Sequence, residues 1–381
     1  MLESSRVMKM KKKIPALALS TLLMLGGCGQ KEAEPTLNRY SNMALDAGFD
    51  TVMTLTGFTE TEEEFTQYFN TMRQEFLRYN ALFDVYNNYD GLNNIKTIND
   101  NAGIQPVEVG DEIIDLLKTA REFYDLSDGE FDVTMGAVLQ IWHQYREEGL
   151  ELNSQGQPGR IPDQQQLEEA KACSGWDKVE IDEENNTVYL TDSCVSLDVG
   201  GIAKGYAAGK VAETLQQQGL QHATVDAGGN VCTINNKPGN ENWIIGIRNP
   251  SGNGSIATLS LPTSSAFVSS GDYERYYIAE DGRQMHHIID PQTLQPADYF
   301  HQVTIITADS GVADALSTSL FTMSYEDGLA LVEQYNAQHP DQTVGVMWVM
   351  DKDRQPEGAE GFVQGDYFVT WTQNMNDTLV Q

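Results

Sequence analysis

Phe65, Phe69, Met72, Phe76 and Phe83 recur at helical spacing after Thr59 and Thr61, and either threonine can start the helix they predict. That aromatic stripe reads as core, since an amphipathic helix needs one face to bury. Upstream, Phe49-Asp50-Thr51-Val52-Met53-Thr54-Leu55 alternates well enough for a strand. Between 85 and 99 the run of Asn87, Asn88, Asp90, Gly91, Asn93 and Asn94 predicts a loop with turn chemistry. Asp111 opens a second helix with Ile113, Ile114, Leu117, Ala120 and Tyr124 on one face, stopping near Ser127-Asp128-Gly129. Glu130-Phe131-Asp132-Val133-Thr134 then leads into a third apolar segment that ends at Ile141-Trp142.

The stretch 149–162 is a polar insertion containing Gly and Pro, followed by an acidic helix over 163–172 and strands over 178–182 and 187–190. Val195, Leu197 and Val199 read as the end of a strand that enters Gly200-Gly201, with a helix from about 203 to 218 beyond. Further strands are expected at 243–247, 255–261, 266–269, 276–279, 303–307, 344–349 and 367–371, with helices starting at Val312-Ala313-Asp314 and spanning 325–336. Strands and helices interleave without a clean βαβ repeat, which predicts an α+β fold, mixed sheets with flanking helices, and no linker splits it.

The 381 residues carry a formal net charge of -32, from 56 acidic against 24 basic residues. Such a surface repels nucleic acid backbones and anionic lipid, so no nucleic acid partner is expected, and solubility accounts for the charge. The first 30 residues differ from the rest. Lys9, Lys11, Lys12 and Lys13 precede an apolar run over 14–25 that is shorter than a standard membrane span. It ends in Leu25-Gly26-Gly27-Cys28, which resembles the lipobox of bacterial lipoproteins; the other reading is an ordinary signal peptide with an incidental cysteine. The lipobox reading divides the chain into a signal peptide at 1–27, a tether at 28–48 lipidated on Cys28, and a domain at 49–381 held on the extracytoplasmic face of the cell membrane. Cys173, Cys194 and Cys232 have no metal spacing; one pair can form a disulfide, and the pairing stays open.

Chemistry concentrates around Leu-Asp-Val-Gly-Gly-Ile-Ala-Lys-Gly, residues 197–205. Gly200 and Gly201 permit close backbone approach, and the following helix start favours an anion. Lys204 sits where the helix dipole disfavours a cation, a conflict that a bound polyanion removes. Asp226-Ala227-Gly228-Gly229-Asn230 is a second glycine turn, and Ser269-Ser270-Gly271-Asp272-Tyr273-Glu274-Arg275-Tyr276 sets hydroxyls, acids and an arginine between strands. His287-Ile288-Ile289-Asp290-Pro291 places an imidazole before a proline turn. Asp314 and Thr318 fall at i and i+4 on one helix face, a hard oxygen set that suits Mg²⁺ shared with a substrate phosphate. Singly, Asp314 and Thr318 read as a helix cap and a solvated face, and His287 as structural.

In this order the five motifs resemble the FAD:protein FMN transferases, the ApbE flavin transferases, across about 49–350. Glu130-Phe131-Asp132-Val133-Thr134 is similar to that family's earlier flavin-contacting segment. Phe49-Asp50-Thr51 departs from the usual Met-Gly-Thr, and the Tyr86-Asn87-Asn88-Tyr89 loop is also unusual. The resemblance implies a single T-fold-related catalytic domain that moves FMN from FAD to a threonine or serine hydroxyl of a target protein, such as a membrane redox subunit or an extracellular flavoprotein, with AMP leaving. It implies His287 as the base, and Mg²⁺ held by the Asp314 and Thr318 side chains and the Gly201 carbonyl. Phe49, Tyr86, Glu130, Phe131, Asp132, Asp198, Lys204 and Ile289 are implied at FAD. Asp290 is an orienter of the imidazole or a part of the proline turn. The alternatives are an FAD pyrophosphatase in which water replaces the acceptor hydroxyl, and a flavin-binding lipoprotein without chemistry.

Overall fold

The alternating stretches pair into one large antiparallel sheet. In the computed structural model, which describes residues 36–252, 254–261 and 263–380, it consists of β1 (Asn38–Ala44), β2 (Met53–Thr59), β3 (Ala223–Ala227), β4 (Asn230–Ile234), β5 (Ala266–Gly271), β6 (Gln302–Thr307), β7 (Gly345–Asp351), β8 (Gly361–Gln364) and β9 (Tyr367–Trp371). The strand order is β1-β2-β3-β4-β5-β6-β7-β9-β8, and every neighbouring pair is antiparallel. Both faces are buried, as the period of two requires. In β5, Ala266 and Val268 belong to the larger core while Phe267 belongs to the opposite one; in β7, Val346, Trp348 and Met350 oppose Met347 and Val349.

The helices are α1 (Glu62–Phe83), α2 (Ile95–Asp100), α3 (Asp111–Leu126), α4 (Gly136–Ser154), α5 (Gln164–Lys171), α6 (Ala203–Gln217), α7 (Ser310–Phe321) and α8 (Tyr325–Gln338). α1 packs on β2, α6 on β3 and β4, and α7 on β5 and β6. A three-stranded sheet of Trp243–Arg248, Ser255–Leu261 and Leu379–Val380 covers the other face. α4 and α5 close a third cluster over the ribbon Tyr277–Ile278 and Gln284–Met285, where Trp142 Nε1 donates to Leu294 O at 2.8 Å. The α+β class stands, with an antiparallel main sheet. Thr61, one of the two expected helix starts, caps α1, with Oγ1 accepting from Glu64 N at 3.2 Å; Asp163 caps α5, and Asp309 caps α7, which starts at Ser310 and not at 312–314.

Several elements differ from the sequence reading; the expected strand end at 195–199 is irregular chain, with only an isolated bridge from Ser196 to Met135. The folded body begins at about residue 37, because β1 lies inside the stretch expected as tether and pairs along its whole length with β2. The expected strand over 49–55 starts only at Met53; Phe49 and Asp50 have φ of 56° and 50° and form a bend. The asparagine-rich loop contains α2, started by a capping box in which Asn94 Oδ1 accepts from Thr97 N at 2.9 Å. The third apolar segment is α4, which runs on to Ser154, into the first part of the expected insertion. Gly149 sits within it for packing and not for a turn, since a Cβ there would lie 2.5 Å from the Tyr277 ring. Cys173 and Cys194 form a disulfide, and Cys232 is free and buried. Cys28 and the expected signal peptide lie outside the described residues.

Candidate functional site

The crossing of α6 and α7 builds one wall of the site. A Cβ on Gly205 would lie 2.5 Å from Asp314 Cβ and collide with Ser310 O, so only glycine allows this approach. The Gly205 N–H donates to Asp314 Oδ2 at 2.8 Å. One turn further along α7, Thr318 Oγ1 donates to Gly201 O at 3.3 Å, with Phe131 packed against Gly201 from the core. Asp314, Thr318 and the Gly201 carbonyl therefore meet on one face. Lys204 Nζ donates to Asn230 Oδ1 at 2.9 Å, while the buried Asn230 Nδ2 has no protein partner. Burial pushes the Asp314 carboxyl up from its ordinary pKa and Lys204 down, and the attraction between the two opposes both shifts. Among the described residues no group of three or more His, Cys, Asp or Glu is arranged to hold a metal ion, so any cation here relies on few protein ligands.

The glycine turn is fixed by Asp198, whose Oδ1 accepts from Gly200 N at 2.9 Å and whose backbone N–H donates to Val133 O at 2.8 Å. The second turn is similar: Asp226 Oδ1 accepts from Gly229 N at 3.1 Å, and Gly228 and Gly229 have positive φ. His286 and His287 face opposite ways. His286 is buried against Phe321, with Nε2 bonded to Ala297 O at 2.9 Å and Nδ1 accepting from Ile288 N. His287 Nδ1 is sealed from solvent without a partner. Burial, together with His286, Arg275, Arg146 and Lys204, holds the His287 pKa well below its ordinary value. Asp290 Oδ1 accepts from Gln292 N and Thr293 N at 2.7 and 3.1 Å, so it shapes the proline turn and leaves the imidazole alone.

The other expected contacts are spread more widely. Phe49 N donates to Asn80 Oδ1 at 2.6 Å and its ring meets Phe76 edge-on. Tyr86 is 51% exposed, and its ring lies 4.7 Å from that of His143. Glu130 has Oε2 sealed without a partner, and burial raises its pKa to about 7. Asp132 and Ile289 have partners of their own. Asp132 Oδ1 accepts from Thr134 N and Oγ1 at 2.9 and 2.6 Å and its Oδ2 pairs with Lys171, while Ile289 packs in the cluster around Trp142.

The ApbE family profile matches residues 49–340. The chain belongs to the ApbE family. The FAD:protein FMN transferase of Klebsiella pneumoniae is 31% identical over 242 residues, 63% of this chain and 71% of the relative. That of Treponema pallidum is 32% identical over 256 residues, 63% of this chain and 68% of the relative. Among solved structures, the ApbE protein of Thermotoga maritima superimposes with a TM-score of 0.69 at 31% identity, over 82% of this chain and 94% of its own. The flavin transferase ApbE from Vibrio cholerae reaches a TM-score of 0.70 at 21% identity, over 90% of this chain and all of its own (100%), a likeness of fold.

This ApbE-family site also contains residues to which the sequence reading gave no role. Arg146 Nη2 bonds His143 Nδ1 at 3.0 Å, and Arg146 acts electrostatically on His287, Asp198 and Tyr86. Arg275 Nη2 donates to Phe49 O at 2.8 Å and Asp50 O at 3.2 Å. A signal for Arg146 was present. Its neighbours at i±3 and i±4 on α4 are Trp142, His143, Gly149 and Leu150, none of them acidic, so a helical arginine was left without a local partner.

Proposed function

We propose that this protein transfers FMN from FAD to a threonine or serine hydroxyl of an acceptor protein, forming a phosphoester and releasing AMP. The observation that carries the reading is the meeting of an all-oxygen face (Asp314, Thr318, Gly201 O) with Lys204 and a partnerless imidazole nitrogen on His287. The names of the relatives at 31% and 32% identity support it. Asp314, Thr318 and Gly201 O would hold Mg²⁺, a fit for a hard ion that completes its shell with water and substrate phosphate. Bound there, the ion supplies charge neutralisation at the pyrophosphate.

Lys204 binds phosphate oxygens, and Asn230 orients its ammonium group. His287 takes the proton from the acceptor hydroxyl, whose oxygen attacks the flavin-side phosphorus; the bond to the bridging oxygen breaks and AMP departs with that oxygen. Without substrate His287 is neutral, held so by burial and by the cations around it. An anionic substrate offsets those cations and lifts the imidazole toward the range where it accepts a proton best. The cell membrane, through lipid on Cys28, is the proposed location.

The test is incubation of a candidate acceptor with FAD and Mg²⁺. The acceptor should gain the mass of one FMN while AMP appears in equal amount. AMP without a mass gain on any acceptor means that water is the acceptor and the hydrolase reading is correct. Asp314→Ala should lose Mg²⁺-dependent turnover while keeping its helix, since alanine is the best helix former.

A further inference from the structure

In a chain of net charge -32, arginines are expected to find carboxylates, and most do. Arg73 pairs with Asp46, Arg121 with Asp125, Arg160 with Glu148, Arg248 with Glu274 and Arg283 with Asp281. Among the described residues, Arg146, Arg275 and Lys204 form no ion pair. All three act electrostatically on His287. Lys204 and Arg146 are half-buried and Arg275 is exposed, and leaving the first two without a contacting counter-ion is costly unless a ligand supplies the missing charge.

Each cation is aimed by neutral groups, so its charge stays available. Lys204 is held by the Asn230 amide at 2.9 Å, Arg146 by the His143 ring at 3.0 Å, and Arg275 by two backbone carbonyls. Three residues here have positive φ without being glycine: Phe49 at 56°, Asp50 at 50° and Arg275 at 48°. Strain of this kind persists where the surroundings impose it, and it gathers at ligand sites. The Arg275 guanidinium links the strained bend at 49–50 to the strained turn that carries it.

We propose that Arg146 and Arg275 are substrate-binding residues that complete, with Lys204, a three-cation cradle for the two phosphates of FAD. This rests on the flavin-transfer reading above and assigns to it two residues from outside the glycine turns. Arg146 comes from α4 and Arg275 from the turn after β5, so the cradle draws on elements other than α6 and α7. Guanidinium groups suit this task because their donors match phosphate oxygens in pairs.

The experiment measures the affinity of FAD, ADP and riboflavin for the parent protein and for Arg146→Gln, Arg146→Lys and Arg275→Gln, with melting temperatures alongside. Arg121→Gln removes a surface arginine and controls for net charge. Arg146→Gln should weaken FAD and ADP together by roughly 10- to 100-fold, the range for a lost charged hydrogen bond. Riboflavin, which has no phosphate, should bind as before. Arg146→Lys should recover part of the loss, and Arg121→Gln should match the parent. Arg275→Gln should weaken FAD and ADP similarly, with an added fall for riboflavin because the 49–50 bend is released. The cradle is refuted if Arg146→Gln binds FAD and ADP within a factor of about two of the parent, or if riboflavin affinity falls in step with them. Should Arg146→Gln fail to fold, undiminished FAD and ADP binding by Arg275→Gln refutes the cradle, and the expected loss there upholds it. A parent protein that binds neither FAD nor ADP overturns the flavin-transfer reading and the cradle together, whereas a parent that binds FAD and an unimpaired Arg146→Gln overturn the cradle alone.

Discussion

Adjacent histidines with opposite surroundings make the sharpest comparison at the scale of single residues. His287 has a sealed, partnerless nitrogen among three cations; His286 is enclosed by Phe321 and two backbone bonds. His287→Ala should melt near the parent and bind FAD, yet transfer FMN roughly 10²- to 10⁴-fold more slowly, the usual contribution of a general base. His286→Ala should lose stability, by about 1–3 kcal/mol for a buried packed and hydrogen-bonded side chain. Parental transfer by His287→Ala removes the base assignment, and an unchanged melting temperature for His286→Ala removes its packing role. The pH profile adds a second check. In the free protein the His287 pKa lies well below its ordinary value, so kcat/KM should hold its rate as the pH falls through 6.5. With anionic FAD bound the pKa rises, so the acidic limb of kcat should lie at higher pH than that of kcat/KM. Coincident limbs would show that substrate does not relieve the cations. Two adjacent histidines were visible in the sequence, and of the two roles it left open for Asp290 the structure takes the turn: the carboxylate accepts from Gln292 N and Thr293 N and leaves His287 free.

At the scale of elements, the α6–α7 crossing and the ends of three strands carry the site. Gly205→Ala places a methyl group against Asp314 Cβ and Ser310 O, forcing the helices apart. Overpacking of that kind costs roughly 1–3 kcal/mol. It should also weaken the Mg²⁺ response by shifting Asp314 from Gly205 N; calorimetric Mg²⁺ titration of a folded variant that matches the parent would separate the two. On the far side, His301 Nδ1 meets Asp272 Oδ2 at 2.7 Å and Nε2 meets Asp351 Oδ1 at 3.0 Å, joining the ends of β5, β6 and β7. Burial lowers the His301 pKa, but the two carboxylates outweigh it and raise the pKa to about 9. A raised folded-state pKa gives stability that is full below the unfolded value near 6.5 and disappears as pH climbs through about 9. The melting gap between parent and His301→Gln should therefore be widest near pH 6 and close by about pH 10. A gap constant with pH would show that the ring acts by packing alone.

The same elements explain what was legible. Long periodic stretches such as α1 and α6 were readable because one face must be buried, and each has a sharp start. α4 was not, because Gly149 and the polar residues after it look like a breaker, and only the Tyr277 ring across the ribbon explains the glycine. β1 reads as polar tether because an edge strand exposes most of its side chains. Motif residues 198–205 and 314–318 could be placed together by their resemblance, since each is short and local. Arg146 left only its lack of an acidic partner on α4 as a local signal, and Arg275 only its place in the 269–276 stretch; the contacts that bear on their role come from distant elements.

For the molecule as a whole, the remaining question is address. β1 begins at Asn38, so a lipid on Cys28 would leave ten residues before the sheet. A chain of that length reaches at most roughly 35 Å. The attached body carries a large excess of acidic side chains and would be repelled by anionic headgroups, so charge offers no second hold on the membrane. On the proposed lipidation, retention would therefore depend on the acyl chains alone, and stable anchoring would need more than one of them. Cys28→Ala should move the protein to the soluble fraction or leave it unprocessed, and raising the salt concentration should not release the parent. The measurement is fractionation of both proteins at low and high salt, with mass analysis of the amino-terminal peptide. A Cys28→Ala protein still found wholly with membranes and already cleaved, or a parent freed by salt, would place the anchor elsewhere.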